Sequence, residues 1–260
     1  MQWDPAEYLQ FGDERARPFA DLMARVPEES PSLVVDLGCG PGNLTRRLAR
    51  RWPGAMVEGV DSSEHMIASA KAEGTSGRLR FTLGDLRQWQ PDTQVDVLTC
   101  NATLQWVPDH VALLERLVSA VRPGGWFAFQ VPGNFGDSSH TAIAQLRESP
   151  RWRDRLAGVD VQQPGSEEPV TYLDRLVGLG CTADVWETTY LQVLTGEDAV
   201  VRWMKGTGLR PVLAALDERE QEELIDQYRA LVAPAYPQRP HGTVLPYRRI
   251  FAVARRGAAA

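Results

Sequence analysis

A glycine-rich loop between a short apolar run and an amphipathic helix constrains the fold of this chain more than any other feature. The loop lies within VVDLGCGPGNLTRRLARRW, residues 34–52. The apolar residues before the loop predict a short buried strand. The residues after it predict a helix from Asn43 to Trp52 that ends at Pro53-Gly54. A strand, a glycine turn and a helix in this order are typical of nucleotide-binding α/β proteins.

Strands and helices alternate along the chain as far as residue 132, after which the rhythm is less regular. The strands are predicted at residues 32–38, 56–61, 79–85, 95–101, 126–132, 183–194 and 247–256. Pro123-Gly124-Gly125 is predicted to be a turn before the fifth strand. This order favours an α/β fold with a doubly wound sheet of seven strands, six of them parallel and the last antiparallel.

The segments outside this sheet are expected to form a mainly helical cap. Ligands of doubly wound proteins bind beyond the carboxyl ends of the strands, and the irregular segments leave the sheet at that end. The predicted division is residues 1–30 for an N-terminal lid and helix, 31–132 for the ligand-binding core, 133–170 for a cap segment, 171–193 for a core helix and strand, 195–246 for a helical cap and 247–256 for the final core strand.

Composition excludes several classes of function. The chain has 260 residues, a net charge of −6 and no block of Lys or Arg, which argues against nucleic-acid binding. Cys39, Cys100 and Cys181 are odd in number and far apart, which argues against a disulfide framework or a zinc site. The acidic, aromatic start MQWDPAEYLQF is not expected to act as a signal peptide, and the sequence has no run of the ~20 apolar residues that span a bilayer. We therefore expect a cytoplasmic monomer without a metal or a membrane contact.

The glycine loop does not match the common phosphate-binding patterns. A phosphate loop would carry a lysine, and a dinucleotide loop would place its third glycine one residue later than Gly42. Asp36 precedes the loop, and its carboxylate would repel a pyrophosphate but suit a ligand that carries a cation. Asp61 and Asp85 end the next two predicted strands, where they could bind a ribose and an adenine. An adenosine with a cationic group and no phosphate is S-adenosylmethionine.

The runs VVDLGCGPGN, VEGVDSS, FTLGDL and CNATLQWVPD together resemble the class I methyltransferase family, which has a Rossmann-like fold. The resemblance implies that Asp36, Gly38 and Gly40 hold the methionine end of the cofactor, and that Asn101 lies under the reacting sulfur. The predicted cofactor-binding residues are Asp36, Gly38, Gly40, Asn43, Asp61, Ser62, Met66, Asp85, Leu86, Asn101 and Trp106.

The nature of the methyl acceptor depends on the cap. A phenol needs a general base, but His110 follows a proline at a helix start, where capping or solvent exposure is the more common role. A carboxylate is ionised at neutral pH and needs no base, so only orientation, desolvation and cations are required. RWMKGTGLRP and PYRRIF supply arginines among aromatic residues, and arginine pairs bidentately with carboxylates.

WDPAEYLQFGDERARPF, NATLQWVPDH, TGLRPVL and PYRRIFAVA together resemble carboxyl methyltransferases that act on trans-aconitate. The resemblance implies a monomethyl ester on a carboxylate of this small polycarboxylate. Arg248 and Arg249 lie on opposite faces of a strand, and the family pattern favours Arg249. The predicted substrate-binding residues are Arg210, Arg249, Trp106, Trp203, Tyr247 and Tyr8. Two alternatives stay open: an O-methyltransferase of secondary metabolism acting on another acid or a phenol, and a non-catalytic cofactor-binding protein.

Overall fold

A mixed β-sheet forms the framework of the protein. The computed structural model describes residues 12–159 and 165–258, so the predicted lid residue Tyr8 lies outside the described residues. The strands are β1 (Leu33–Leu37), β2 (Met56–Asp61), β3 (Leu79–Leu83), β4 (Val95–Asn101), β5 (Val121–Pro132), β6 (Cys181–Leu194), β7 (Gln238–Arg239) and β8 (Gly242–Arg256). Their order is β3-β2-β1-β4-β5-β8-β6, with β7 paired to β8. The first five strands in this order are parallel, and β8 is antiparallel to β5.

Helices connect the strands and fill the later half of the chain. The helices are α1 (Gly12–Ala24), α2 (Asn43–Arg51), α3 (Glu64–Ala72), α4 (His110–Ala120), α5 (Ser138–Glu148), α6 (Arg153–Leu156), α7 (Pro169–Gly178), α8 (Ala199–Lys205), α9 (Arg210–Leu213) and α10 (Glu218–Val232). A single 3-10 turn, Leu104–Trp106, follows β4. Among the described helices, none has both the length and the apolar composition needed to cross a membrane.

The described residues form two compact units. The sheet unit comprises residues 12–132, 165–188 and 249–258, and the helical unit comprises residues 133–159 and 189–248. In the sheet unit, β1 and β4 are almost wholly buried because helices cover both faces of a parallel sheet. Phe127, Phe129 and Tyr172 are buried beside them, and the Phe129 and Tyr172 rings meet edge to face at 5.2 Å. This core holds the ends of the central strands in fixed positions.

The helical unit is organised around α10. A capping box begins this helix, because the Asp217 carboxylate accepts from the Glu220 amide while the Glu220 side chain accepts from the Asp217 amide. Its buried residues recur every four positions and include Tyr228, whose hydroxyl donates to the Ser139 carbonyl oxygen at 2.8 Å. The indole of buried Trp152 donates to the side chain of Gln227 at 2.8 Å. These bonds join α10 to α5 and to the start of α6.

The predicted fold class is confirmed, and several details differ. The sheet has an eighth strand, because β7 pairs with β8 as a short hairpin. For the same reason the last strand begins at Gly242 rather than at residue 247, within the predicted helical cap. The predicted Pro123-Gly124-Gly125 turn lies inside β5, where the register with β4 shifts between Val95 and Val97. In addition, α7 begins at Pro169, within the segment 133–170 that was predicted as cap.

Candidate active site

The glycine loop after β1 has the backbone conformation that glycine makes accessible. Gly38, Gly40 and Gly42 have φ values of 74°, 56° and 82°. A Cβ at Gly38 would lie 2.1 Å from Thr103 Oγ1, and one at Gly42 would lie 2.6 Å from the Phe81 ring. At Gly40, by contrast, none of the described residues beyond its chain neighbours has an atom within 4 Å of the Cβ position. The loop is therefore packed on both sides of Gly40 and open at Gly40, where a ligand can approach the backbone.

Asp61 ties this loop to the end of β2. The Gly40 amide donates to Asp61 Oδ2 at 2.9 Å, and the Ser63 amide donates to Oδ1 at 2.9 Å. The Gly38 and Cys39 amides donate to the carbonyl oxygen of Val60, the residue before Asp61. The Asp61 carboxylate is half-buried, and each of its oxygens keeps a further lone pair. Asp61 is thus fixed in orientation and able to accept from a ligand.

Asp36 is a buried acid beneath the loop. It is 2 % exposed, and Thr45 Oγ1 donates to its Oδ2 at 2.6 Å. Burial raises the pKa of the Asp36 carboxyl to about 6, the bond from Thr45 opposes that change, and the charge of Asp61 adds to it. Two carboxylates that interact beside an open backbone position favour a ligand that brings a positive charge.

A buried chain of hydrogen-bonded polar side chains joins the carboxyl ends of β4 and β5 to the middle of β8. Gln130 Nε2 donates to Asn101 Oδ1 at 2.9 Å, and Arg249 Nη1 donates to Gln130 Oε1 at 3.0 Å. Asn101, Gln130 and Arg249 are 9 %, 0 % and 5 % exposed. Asn101 pairs with Gln130 in the sheet, and Arg249 pairs with Pro132. The structure therefore places a buried guanidinium near the carboxyl end of β5. Two hydrogen bonds, through Gln130, link this guanidinium to Asn101.

The turn after Asn101 is strained and well anchored. Ala102 has a φ of 53°, which costs a non-glycine residue on the order of 1 kcal/mol. Its amide donates to the Gln130 carbonyl oxygen at 2.9 Å, and its own carbonyl oxygen accepts from Gln105 Nε2 at 2.7 Å. Thr103 Oγ1 donates to the Asn101 carbonyl oxygen at 3.1 Å. These bonds hold the turn so that Thr103 packs against Gly38.

The other predicted cofactor residues have mixed surroundings. Met66 is buried in the first turn of α3, and Ser63 rather than exposed Ser62 caps that helix through a bond from the Met66 amide. Arg87 Nε and Nη2 donate to the Asp85 carboxylate at 2.6 to 3.0 Å, and this bonding holds the pKa of Asp85 below its usual value. Half-buried residues complete the predicted set: Asn43 at the start of α2, Leu86 after β3 and Trp106 in the 3-10 turn.

The predicted acceptor residues are divided between the two units. Arg249 belongs to the sheet unit, whereas Arg248 belongs to the helical unit and donates weakly to the Gly133 carbonyl oxygen at 3.4 Å. Arg210 begins α9 in the helical unit. The rings of Trp203 and Tyr247 meet edge to face there at 5.8 Å. The roles of Arg210, Trp203 and Tyr247 in acceptor binding stay predictions.

The expectation that His110 caps a helix or faces solvent is wrong. His110 is 6 % exposed, and its Nε2 lies 2.7 Å from the hydroxyl of Tyr172. Its Nδ1 lies 3.3 Å from the Val107 carbonyl oxygen, so Nδ1 carries the proton and Nε2 accepts from Tyr172. Burial lowers the pKa of His110, which keeps the ring neutral. This histidine joins α4 to α7 and is committed to packing.

Sequence reasoning missed three residues that shape the site. Thr45 bonds to Asp36, Thr103 closes the space beside Gly38, and Gln130 joins Asn101 to Arg249. Gln130 carried a usable signal, since it is a polar residue inside the apolar run WFAFQVP. A polar side chain in a buried strand needs a hydrogen-bond partner. The other two are small residues whose type does not distinguish them from ordinary core positions.

The strand order, the glycine loop and the acids near the carboxyl ends of β1 and β2 define a Rossmann-like methyltransferase of class I. A family model described as a methyltransferase domain matches residues 34–125. A trans-aconitate 2-methyltransferase from Streptomyces avermitilis is 50% identical to the chain, over 98% of this chain and 97% of that protein. One from Mycolicibacterium gilvum is 48% identical, over 97% of this chain and 98% of that protein. The chain belongs to the trans-aconitate 2-methyltransferase family.

Solved structures agree on the fold. The YcgJ protein from Bacillus subtilis is 11% identical and has a TM-score of 0.64, covering 94% of this chain and 100% of that one. An S-adenosylmethionine-dependent methyltransferase from Mesorhizobium loti is 23% identical with a TM-score of 0.54, covering 93% of this chain and 99% of that one. Identities this low show that the Rossmann-like fold is shared, and they carry no argument about the acceptor.

Proposed function

We propose that the chain transfers a methyl group from S-adenosylmethionine to a carboxylate of trans-aconitate. The observation that carries the proposal is a buried arginine, Arg249, which pairs with the last residue of β5 and donates to Gln130. Gln130 in turn bonds to Asn101 at the end of β4, the strand next to β1 and its acidic glycine loop. A cationic group for the acceptor and acidic groups for the donor therefore lie in one unit of the fold. The names of the relatives reported above point to the same acceptor.

The loop fits the cofactor in shape and in charge. Asp36 and Asp61 suit the ammonium group and the ribose hydroxyls, and the open position at Gly40 admits a ligand against the backbone. The described loop residues 38–42 include no lysine or arginine that would favour a phosphate instead. When bound, the cofactor supplies an electrophilic methyl group on a sulfonium.

The chemistry that remains for the protein is positioning. A carboxylate oxygen forms the new bond to the methyl carbon while the carbon–sulfur bond breaks, and its electron pair stays on sulfur. No proton moves, since the acceptor, with a pKa near ~4, is already ionised. Arg249 holds the acceptor carboxylate in a buried setting where its charge is little screened. Orientation of two bound reactants can supply roughly 7–11 kcal/mol of the barrier.

A transfer assay tests this proposal. Purified protein with labelled S-adenosylmethionine should methylate trans-aconitate in preference to cis-aconitate, citrate, isocitrate and a phenolic acid, and the product should be a base-labile monomethyl ester. Transfer to the phenolic acid alone would keep the donor and overturn the carboxylate acceptor. Binding of S-adenosylhomocysteine without transfer to any acid would favour a non-catalytic role.

The raised pKa of Asp36 predicts a pH dependence of cofactor binding. In the ligand-free protein this carboxyl has a pKa of about 6, and a bound ammonium would lower it. Affinity for S-adenosylhomocysteine should therefore fall as the pH falls through 6, by roughly tenfold between pH 7.5 and pH 5. Calorimetric titration measures this change. Asp36→Asn should bind more weakly at pH 7.5 and show a flat profile, and an unchanged slope in that variant would assign the titration to another group.

The raised pKa of Asp36 makes the stability of the ligand-free protein depend on pH in the opposite direction from cofactor affinity. Because folding raises the pKa of Asp36, the folded chain binds a proton more tightly than the unfolded chain does. Its contribution to the free energy of unfolding is therefore greatest below pH 4 and is lost as the pH rises to about 6. The cofactor and the proton thus compete for the same carboxylate.

A further inference from the structure

The hydrogen bonds of Arg249 and Gln130 determine which end of the Asn101 amide is left for a ligand. A guanidinium can only donate, so Arg249 must face the oxygen Oε1 of Gln130, at 3.0 Å. The nitrogen Nε2 of Gln130 must then face Asn101, whose oxygen Oδ1 accepts at 2.9 Å. The side-chain amides of Gln130 and Asn101 therefore each have one orientation that satisfies the neighbouring group. The orientation of Asn101 is therefore set by an arginine two steps away.

The consequence is that Asn101 keeps its amino group for the site. Within the part of the chain that the structure describes, Asn101 Nδ2 donates to no protein oxygen. The residue is nine-tenths buried at the carboxyl end of β4, and the strained turn at Ala102 fixes its backbone. An N–H donor pair repels a sulfonium and suits an anion. The family resemblance implies that Asn101 lies under the reacting sulfur. For that role its oxygen Oδ1, not its amino group, would have to face the cationic sulfonium.

We propose that Asn101 Nδ2 donates to a carboxylate of the acceptor, and that Gln130 positions both Asn101 and Arg249 for this contact. The proposal rests on the proposed function and assigns it an anion subsite in the sheet unit. Arg249 supplies the charge, and Asn101 supplies a directed neutral donor beside it. Gln130 touches no ligand, so it is a positioning residue. Its burial at 0 % exposure keeps water from replacing either of its bonds.

Asn101→Asp tests the donor directly. The variant is isosteric, and one oxygen can still accept from Gln130, but the group that faces the site becomes an anion. We expect the KM for trans-aconitate to rise about tenfold or more while the Kd for S-adenosylhomocysteine stays within about twofold. An unchanged KM would overturn the proposal. A weakened Kd with an unchanged KM would also overturn it, since the amide would then serve the cofactor's own carboxylate.

A double-variant cycle tests the positioning role of Gln130. Gln130→Met keeps the length of the side chain and removes both bonds, and it should raise the KM for trans-aconitate about five- to tenfold with a smaller change in kcat. In the Asn101→Asp background, Gln130→Met should raise KM no more than about threefold. In that background the Asn101 amide that Gln130 would orient is already absent, so only the effect on Arg249 remains. Full multiplication of the two effects would overturn the positioning role.

Controls separate these outcomes from loss of folding and from failure of the proposed function. Gln192→Met replaces another buried glutamine, on β6 in the helical unit, and should leave KM unchanged within about twofold. Thermal unfolding of each variant shows whether it remains folded. If the wild-type protein transfers to no carboxylate, the proposed function fails and this inference falls with it. If the wild type is active and Asn101→Asp keeps its KM, only the inference fails.

Discussion

Replacing Arg249 with methionine should lower kcat/KM for trans-aconitate by roughly 1,000-fold, because losing one partner of a buried charged contact costs about 4 kcal/mol. Arg249 is 5 % exposed, so water screens little of its charge. The loss should appear mainly as a higher KM for the acceptor, since the guanidinium holds the acceptor carboxylate in both the ground state and the transition state. Affinity for S-adenosylhomocysteine should change by less than about threefold.

The matched control lies on the same strand. Arg255 pairs with Trp126, near the opposite end of the β5–β8 pairing from Arg249, and its guanidinium donates to the Gly124 carbonyl oxygen. Arg255→Met should leave kcat/KM within about twofold, because it removes the same charge away from the proposed site. Arg249→Met leaves the Oε1 of buried Gln130 without its donor, which costs about 1–3 kcal/mol of stability, so thermal unfolding is measured to check that the variant remains folded. A kcat/KM for Arg249→Met near the wild-type value would remove Arg249 from the acceptor site.

Arg249→Lys sharpens this test. Lysine keeps the positive charge but lacks the planar fork, and it cannot both pair bidentately with a carboxylate and donate to Gln130 in the same geometry. A recovery to within tenfold of wild-type activity would mean that charge alone suffices. A loss close to that of methionine would mean that the fork and its bond to Gln130 are what the reaction needs.

The strand framework could be predicted because its signals are local. The apolar runs that became β1, β2 and β4 are bounded by turn residues, and the predicted limits of β2 and β4 match the structure. Gly124 shows where local signals fail. Its φ of 76° suits a turn, but the neighbouring residues continue into a strand that pairs with both β4 and β8. Pairing partners more than a hundred residues away decide whether such a glycine ends a strand or bends it.

The ligand loop was predictable for a similar reason. Its three glycines follow β1 where the backbone must turn, and Asp61 ends β2, so residue type alone carries information at these positions. The residue type carried less information for His110, since a histidine at that position could be a general base, a helix cap or a core residue. Only the hydroxyl of Tyr172, 62 residues later, resolves its role.

Asn101 and Arg249 were predicted as site residues, but the hydrogen bonds that link them through Gln130 were not predictable. Asn101, Gln130 and Arg249 are 29 and 119 residues apart along their two bonds. Each residue alone has an ordinary explanation, and the strand register adds that Arg249 pairs with Pro132 at the end of β5. Sequence reasoning can identify an unusual residue, such as the glutamine Gln130 in an apolar strand. What only structure can contribute is the direction of its hydrogen bonds.

Asp61→Asn should weaken S-adenosylhomocysteine binding by roughly 100-fold, or about 2.7 kcal/mol, because a bond to a charged acceptor and part of the loop's support are lost together. Both Asp61 oxygens accept from backbone amides, those of Gly40 and Ser63, at 2.9 Å. An asparagine must turn its amino group toward one of these donors. The loop at Gly40 or the start of α3 then loses its anchor, in addition to the proposed ribose contact.

Glu58 provides the matched control for Asp61, since it lies three residues earlier on β2 and its carboxylate accepts from Arg80 and Thr82 instead. Glu58→Gln should bind S-adenosylhomocysteine within about twofold of the wild type. Calorimetric titration measures both affinities, and thermal unfolding checks the fold of each variant. At saturating S-adenosylmethionine, Asp61→Asn should keep the wild-type KM for trans-aconitate. A raised acceptor KM with an unchanged cofactor Kd would reverse the assignment, because Asp61 would then shape the acceptor side of the reaction.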